Sequence, residues 1–140
     1  QYAAIEAYKG DHSSYLEKVK KILSITGMYV YENLKSNTIN VAKPEGGFYL
    51  FPEFTKAKFS SSSEMCQDIL SKTGVALLPG SDFGLENKKM IARLSYTDFD
   101  GNNFLKNTPG GKNLNTDDLK KYAPNIVDGV SKLKEWSKSL

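Results

Sequence analysis

Short apolar runs that end at proline or glycine confine residues 38–52 and 75–80 to strand-length elements, and no other feature limits the fold as strongly. Thr38-Ile39-Asn40-Val41-Ala42 alternates with period two and is closed by Pro44 and the Gly46-Gly47 pair. Phe48-Tyr49-Leu50-Phe51 is stopped by Pro52, and Val75-Ala76-Leu77-Leu78 by Pro79-Gly80. Proline has no amide donor and disfavours helix in the residue before it, so these runs cannot merge into helices. Residues 90–96 form the last such run.

Helical segments surround these strands. Leu16, Val19, Leu23, Val30 and Leu34 recur near helical spacing in residues 11–34, with Ser14 and Glu17 as a capping box and Gly27 weakening the middle. Ser61 and Glu64 offer a second capping box, before a helix with Met65, Ile69 and Leu70 on one face and Gly74 as its C-terminal cap. From residue 116 the chain reads as helix again, with Pro124 starting a new one and Ile126, Val130, Leu133 and Leu140 on one face. Residues 98–115, rich in Gly and Asn, read as an exposed, mobile loop. The expected fold is one α/β domain of two layers, a small mixed sheet covered by helices.

Composition narrows the function. With 140 residues and a net charge of +3, Lys interleaves with Asp and Glu, so the surface is solvated rather than striped with positive charge, and nucleic-acid binding is not expected. No apolar run approaches the roughly 20 residues that span a bilayer. The single cysteine, Cys66, cannot form an internal disulfide and favours a cytoplasmic setting. With one histidine, His12, and no Cys, Asp or Glu cluster at ligand spacing, no metal site is expected. His12 reads as a surface residue and Cys66 as a packing residue. Every basic side chain apart from His12 is lysine except one: Arg93, inside an apolar stretch. A planar guanidinium grips a carboxylate through two parallel hydrogen bonds that an ammonium cannot reproduce, so a lysine-biased chain retains arginine where geometry requires it. The plainer alternative is an ion pair with a local Asp or Glu on an edge strand.

Three stretches occur in fixed order: Lys43-Pro44-Glu45-Gly46-Gly47-Phe48-Tyr49-Leu50-Phe51-Pro52, then Gly74-Val75-Ala76-Leu77-Leu78-Pro79-Gly80-Ser81-Asp82-Phe83-Gly84, then Ala92-Arg93-Leu94-Ser95-Tyr96. Together they resemble the small domain of class I/II, fold-type I, pyridoxal-phosphate aminotransferases. The resemblance implies that residues 1–140 are the C-terminal, substrate-carboxylate-binding domain, without the N-terminal large domain that carries the Schiff-base lysine and most of the pyridoxal 5'-phosphate contacts. It implies amino-group transfer between an amino acid and a 2-oxo acid by a homodimer, with Arg93 on the α-carboxylate and the Gly47 backbone at the rim of the active site. A lyase or synthase of the same fold, or a noncatalytic binding module, would carry the same clamp. Tyr49 and Phe83 either line the substrate side-chain pocket or fill the core. Gly46 and Gly84 read as turn residues, and Asp82 stands where relatives often have a small one. No catalytic residue or cofactor ligand is expected within these residues, so the chain alone is expected to be inactive.

Overall fold

The structure, a computed structural model, describes residues 1–108 and 114–140. Helix α1 (Tyr2–Lys9) has no buried residue, and the long helix α2 (Ser13–Leu34) follows it. Strands β1 (Ile39–Asn40), β2 (Tyr49–Leu50) and β3 (Glu53–Phe54) precede helix α3 (Ser62–Thr73). Strand β4 (Leu78–Pro79) runs directly into a 3-10 turn, Gly80–Phe83, and strand β5 (Ala92–Ser95) comes next. Helices α4 (Gly101–Lys106), α5 (Thr116–Tyr122) and α6 (Pro124–Lys138) complete the chain.

The α/β layers expected from the sequence are present. Strand β5 lies in the middle of a three-stranded sheet, β2-β5-β4, while β1 pairs with β3. A single bridge between Glu53 and Ile91 links the two sheets. Where a mixed sheet was expected, every pairing among the described residues is antiparallel. Tyr49 pairs with Ser95, Leu50 with Leu94, Leu78 with Arg93 and Pro79 with Ala92. This register sorts the side chains by parity: Ala92, Leu94 and Tyr96 are buried, whereas Arg93 and Ser95 lie on the other face with Tyr49 and Leu78.

Helices cover the inner face. Helix α2 packs on α6, which also contacts α3 and α5. Val30, Leu34, Ile39, Phe54, Met65, Ile69, Leu119 and Leu133 are almost wholly buried there. Trp136 sits edge-on to Phe54 with ring centroids 5.3 Å apart, and its indole N–H donates to Asp68 at 2.8 Å.

Several expectations about local structure change. The Ser14–Glu17 box does not form: α2 starts after His12 with no side-chain cap, and Asp11 instead accepts from the Ser13 amide and hydroxyl. At α3 the cap is as expected, with Ser61 accepting from the Glu64 amide and Gly74 closing the helix at φ 74°. The reverse half of that box is altered, because the Glu64 carboxylate accepts from the backbone and hydroxyl of Ser60. Pro52 does not end the extended chain, which continues into β3. Residues 101–106 are helix rather than loop, capped by Asp100 and anchored by Phe104, which is fully buried against Phe99 and Tyr122. Polar composition concealed this helix because only two apolar side chains, buried Phe104 and half-buried Leu105, hold it down. Residues 109–113 of the expected loop lie outside the described residues.

Candidate active-site face

The outer face of the three-stranded sheet is built around Arg93. A place on the central strand fixes its backbone on both sides, and parity points the side chain away from the core. Tyr49 approaches from β2. It is paired with Ser95, which makes it the diagonal neighbour of Arg93 on the same face. Phe83 comes from the opposite side of β5, at the end of the 3-10 turn that follows β4. The guanidinium carbon lies 4.3 Å from the Tyr49 ring centroid and 4.5 Å from that of Phe83. Both distances are well inside the range of a cation–π contact.

Two further rings extend this group. Phe48 stacks against Tyr49 at 4.2 Å in a tilted arrangement, and Phe51 meets Phe83 edge-on at 5.7 Å. All four rings are about two-fifths exposed, so none is core filling. A row of four exposed aromatics around one cation is an uncommon surface for a soluble chain.

Glycine makes the Phe83 contact possible. The Gly80 amide donates to the Ile91 carbonyl at 2.8 Å, and a Cβ on residue 80 would meet that oxygen at 2.9 Å. Only glycine lets the chain pass so close to β5 before it turns back toward Arg93. The buried Ser62 hydroxyl donates to Ser81 at 3.2 Å and ties the start of α3 to the same turn. Asp82 belongs to this turn but faces the other way, since its charge is felt by the buried Cys66. Burial first, and Asp82 second, push the Cys66 thiol up to about 11. Cys66 is thus the packing residue expected, and His12 is exposed at the start of α2.

Arg93 has neither a hydrogen bond nor an ion pair with a carboxylate among the described residues, whose ion pairs all involve lysine. The local ion pair on an edge strand is therefore not what the structure shows: the strand is central and the guanidinium is held by rings. Ring contacts use none of its N–H groups as hydrogen-bond donors, so these are left for an external acceptor.

Gly47 stands somewhat apart, in the turn that enters β2. It has φ +72°, a conformation that side-chain-bearing residues rarely adopt, and the space beside it is open. Its carbonyl accepts from the Tyr96 hydroxyl at 2.9 Å. Tyr96 is almost completely buried, and burial pushes its phenol up. Sequence reasoning assigned Tyr96 no role, although the inward parity it shares with Leu94 calls for a partner for its hydroxyl. The structure therefore brings Arg93, Tyr49 and Phe83 together and connects Gly47 to the same sheet through Tyr96.

Other parts of the molecule do not compete with this face. A groove of about 360 Å³ lies between β5, the segment after α3, and α6, with Val75, Leu77, Leu94, Ile126 and Leu133 in its walls. It contains none of Arg93, Tyr49 or Phe83, and its Lys132 is paired with Asp128 at 2.7 Å. No cluster of three or more His, Cys, Asp or Glu suited to a metal occurs among the described residues. No lysine is buried among the described residues. No helix is long and apolar enough to cross a membrane among the described residues.

The family model described as aminotransferase class I and II matches residues 1–103. An aspartate aminotransferase of Bacillus sp. (strain YM-2) is 37% identical over 101 residues, covering 69% of this chain and 25% of that protein. An asparagine–oxo-acid transaminase of Streptococcus mutans is likewise 37% identical over 101 residues, with the same coverage. Among solved structures, an aromatic aminotransferase from Pyrococcus horikoshii superimposes on 99% of this chain and 31% of its own, with a TM-score of 0.68 at 22% identity. The aspartate aminotransferase of Thermotoga maritima covers 96% of this chain and 27% of its own, with a TM-score of 0.58 at 24% identity. The structural matches show a shared fold. The chain spans about a quarter of the length of the curated relatives it matches.

Proposed function

The chain belongs to the class I and II aminotransferases, and from that premise we propose that it is the domain of such an enzyme that holds the substrate's α-carboxylate on Arg93. One observation carries this reading: the guanidinium, on a central strand, is in close contact with two exposed rings and has no carboxylate of its own among the described residues. A cation so held is ready for a bidentate acceptor, and an amino acid and a 2-oxo acid both present one next to the reacting carbon.

In this reading residues 1–140 are the C-terminal small domain. The family's cofactor, pyridoxal 5'-phosphate, serves as the electron sink of amino-group transfer. The lysine that holds it belongs, in this reading, to the remainder of the protein. Arg93 orients the substrate through its carboxylate, on the sheet face it shares with Tyr49 and Phe83. Gly47 leaves the rim open where a side chain would intrude. The whole protein acts as a homodimer in the cytoplasm, a setting in which one buried, unpaired cysteine persists.

The test uses the full-length protein supplied with pyridoxal 5'-phosphate, an amino acid and a 2-oxo acid. Stoichiometric appearance of the new amino acid and new oxo acid is expected, whereas the 140-residue chain alone should give no turnover. Release of ammonia or carbon dioxide without amino transfer would replace the transaminase by a lyase of the same family. Turnover by residues 1–140 alone would overturn the assignment of the chemistry to the remainder of the protein.

A further inference from the structure

We infer that Tyr49 and Phe83 are positioning residues that fix the plane of the Arg93 guanidinium, rather than walls of a pocket for the substrate's side chain. The inference rests on the proposal that Arg93 binds the α-carboxylate, and it gives the two rings one function where the sequence left pocket lining and core filling open. Neither ring belongs to the core of these residues, since Tyr49 and Phe83 are 38% and 40% exposed. Their contact with Arg93 is close, at 4.3 Å and 4.5 Å from ring centroid to guanidinium carbon.

The need for such a device follows from the chemistry of the arginine side chain. A long, flexible stem on an open sheet face samples several rotamers, and a fork has to be presented in one orientation to make two parallel hydrogen bonds. No carboxylate or carbonyl among the described residues holds the Arg93 fork, so no polar contact sets its plane. The rings supply that restraint by close contact with the guanidinium, and they take up none of its hydrogen-bond donors. Each ring is itself braced, Tyr49 by Phe48 and Phe83 by Phe51. The turn that carries Phe83 is further fixed by the Gly80 amide on Ile91 and by the Ser62–Ser81 hydrogen bond.

Tyr49→Leu, Phe83→Leu and Tyr49→Phe in the full-length holoenzyme test this arrangement. Each leucine variant should raise KM, and the Kd of an unreactive carboxylate measured by equilibrium titration, by roughly 3- to 30-fold, the range of a cation–π contact. The change in kcat should be much smaller. The increase should be the same for amino acids with small, aromatic and acidic side chains, and Tyr49→Phe, which keeps the ring, should restore wild-type values. A loss that depends on the substrate's side chain, or leucine variants with unchanged KM and Kd, would overturn the inference. Arg93→Lys is the control that separates the two levels: if it is impaired while the leucine variants are not, only the positioning role fails. If Arg93→Lys binds the carboxylate normally, the proposed function fails with it.

Discussion

Replacing Gly27 by alanine sets helix propensity against packing, and the structure decides the sign. In the middle of a solvent-exposed helix the change would stabilise by about 1 kcal/mol, because glycine carries the larger entropy loss on folding. Gly27 is buried in α2, however, and a Cβ there would lie 3.0 Å from Tyr96 Cζ, 3.1 Å from its hydroxyl and 3.3 Å from Pro44 Cγ. The Tyr96 ring would have to withdraw by a few tenths of an ångström. It has nowhere to go, being 1% exposed and tethered by its hydroxyl to the Gly47 carbonyl. Overpacking costs about 1–3 kcal/mol, and a stretched or broken hydrogen bond adds about 1 kcal/mol. After the gain in propensity, the net loss is about 1–3 kcal/mol. With a urea m-value of about 2 kcal/mol/M, the unfolding midpoint should fall by roughly 0.5–1.5 M at unchanged m. In a Tyr96→Leu background the same substitution should become neutral or stabilising, which places the conflict at the ring. A single Gly27→Ala variant with a raised midpoint would refute the packing argument.

The Cys66 thiol should resist alkylation at pH 8 until the chain is unfolded, because burial holds its ionisation near pH 11. Since that value is raised above the ordinary 9, the stability it contributes is complete below pH 9 and lost as pH rises toward 11; Cys66→Ala should remove that part of the alkaline decline in the urea midpoint. Phe104→Ala should destabilise the chain by about 3–5 kcal/mol and abolish amide protection in α4, whereas an unchanged midpoint would mean that residues 101–106 do not dock.

The parts of the fold that could be read from sequence are those in which local chemistry and tertiary context agree. Pro79 ends β4, and Ser61 and Gly74 cap α3 as their residue types dictate. Legibility failed where a long-range contact overrode composition. Residues 101–106 look like loop until Phe104 finds Phe99 and Tyr122. Residues 53–54 become a strand because β1 offers a partner beyond Pro52. At the candidate site, Arg93 stood out because it is the lone arginine. The contacts of Tyr49 and Phe83 with it depend on strand order, which no linear pattern encodes. Tyr96 went unnoticed for a similar reason, since its hydroxyl partner is 49 residues away in the chain.

Arg93→Lys in the full-length enzyme tests the central claim most directly. Lysine keeps the charge and loses the planar fork, so kcat/KM should fall by roughly 30- to 1,000-fold, or about 2–4 kcal/mol, for every amino-acid and oxo-acid substrate alike. Binding of pyridoxal 5'-phosphate, followed by its visible absorbance, should be unchanged. An Arg93→Lys enzyme with normal kcat/KM and a lowered melting temperature would show the arginine to be structural and would contradict the account.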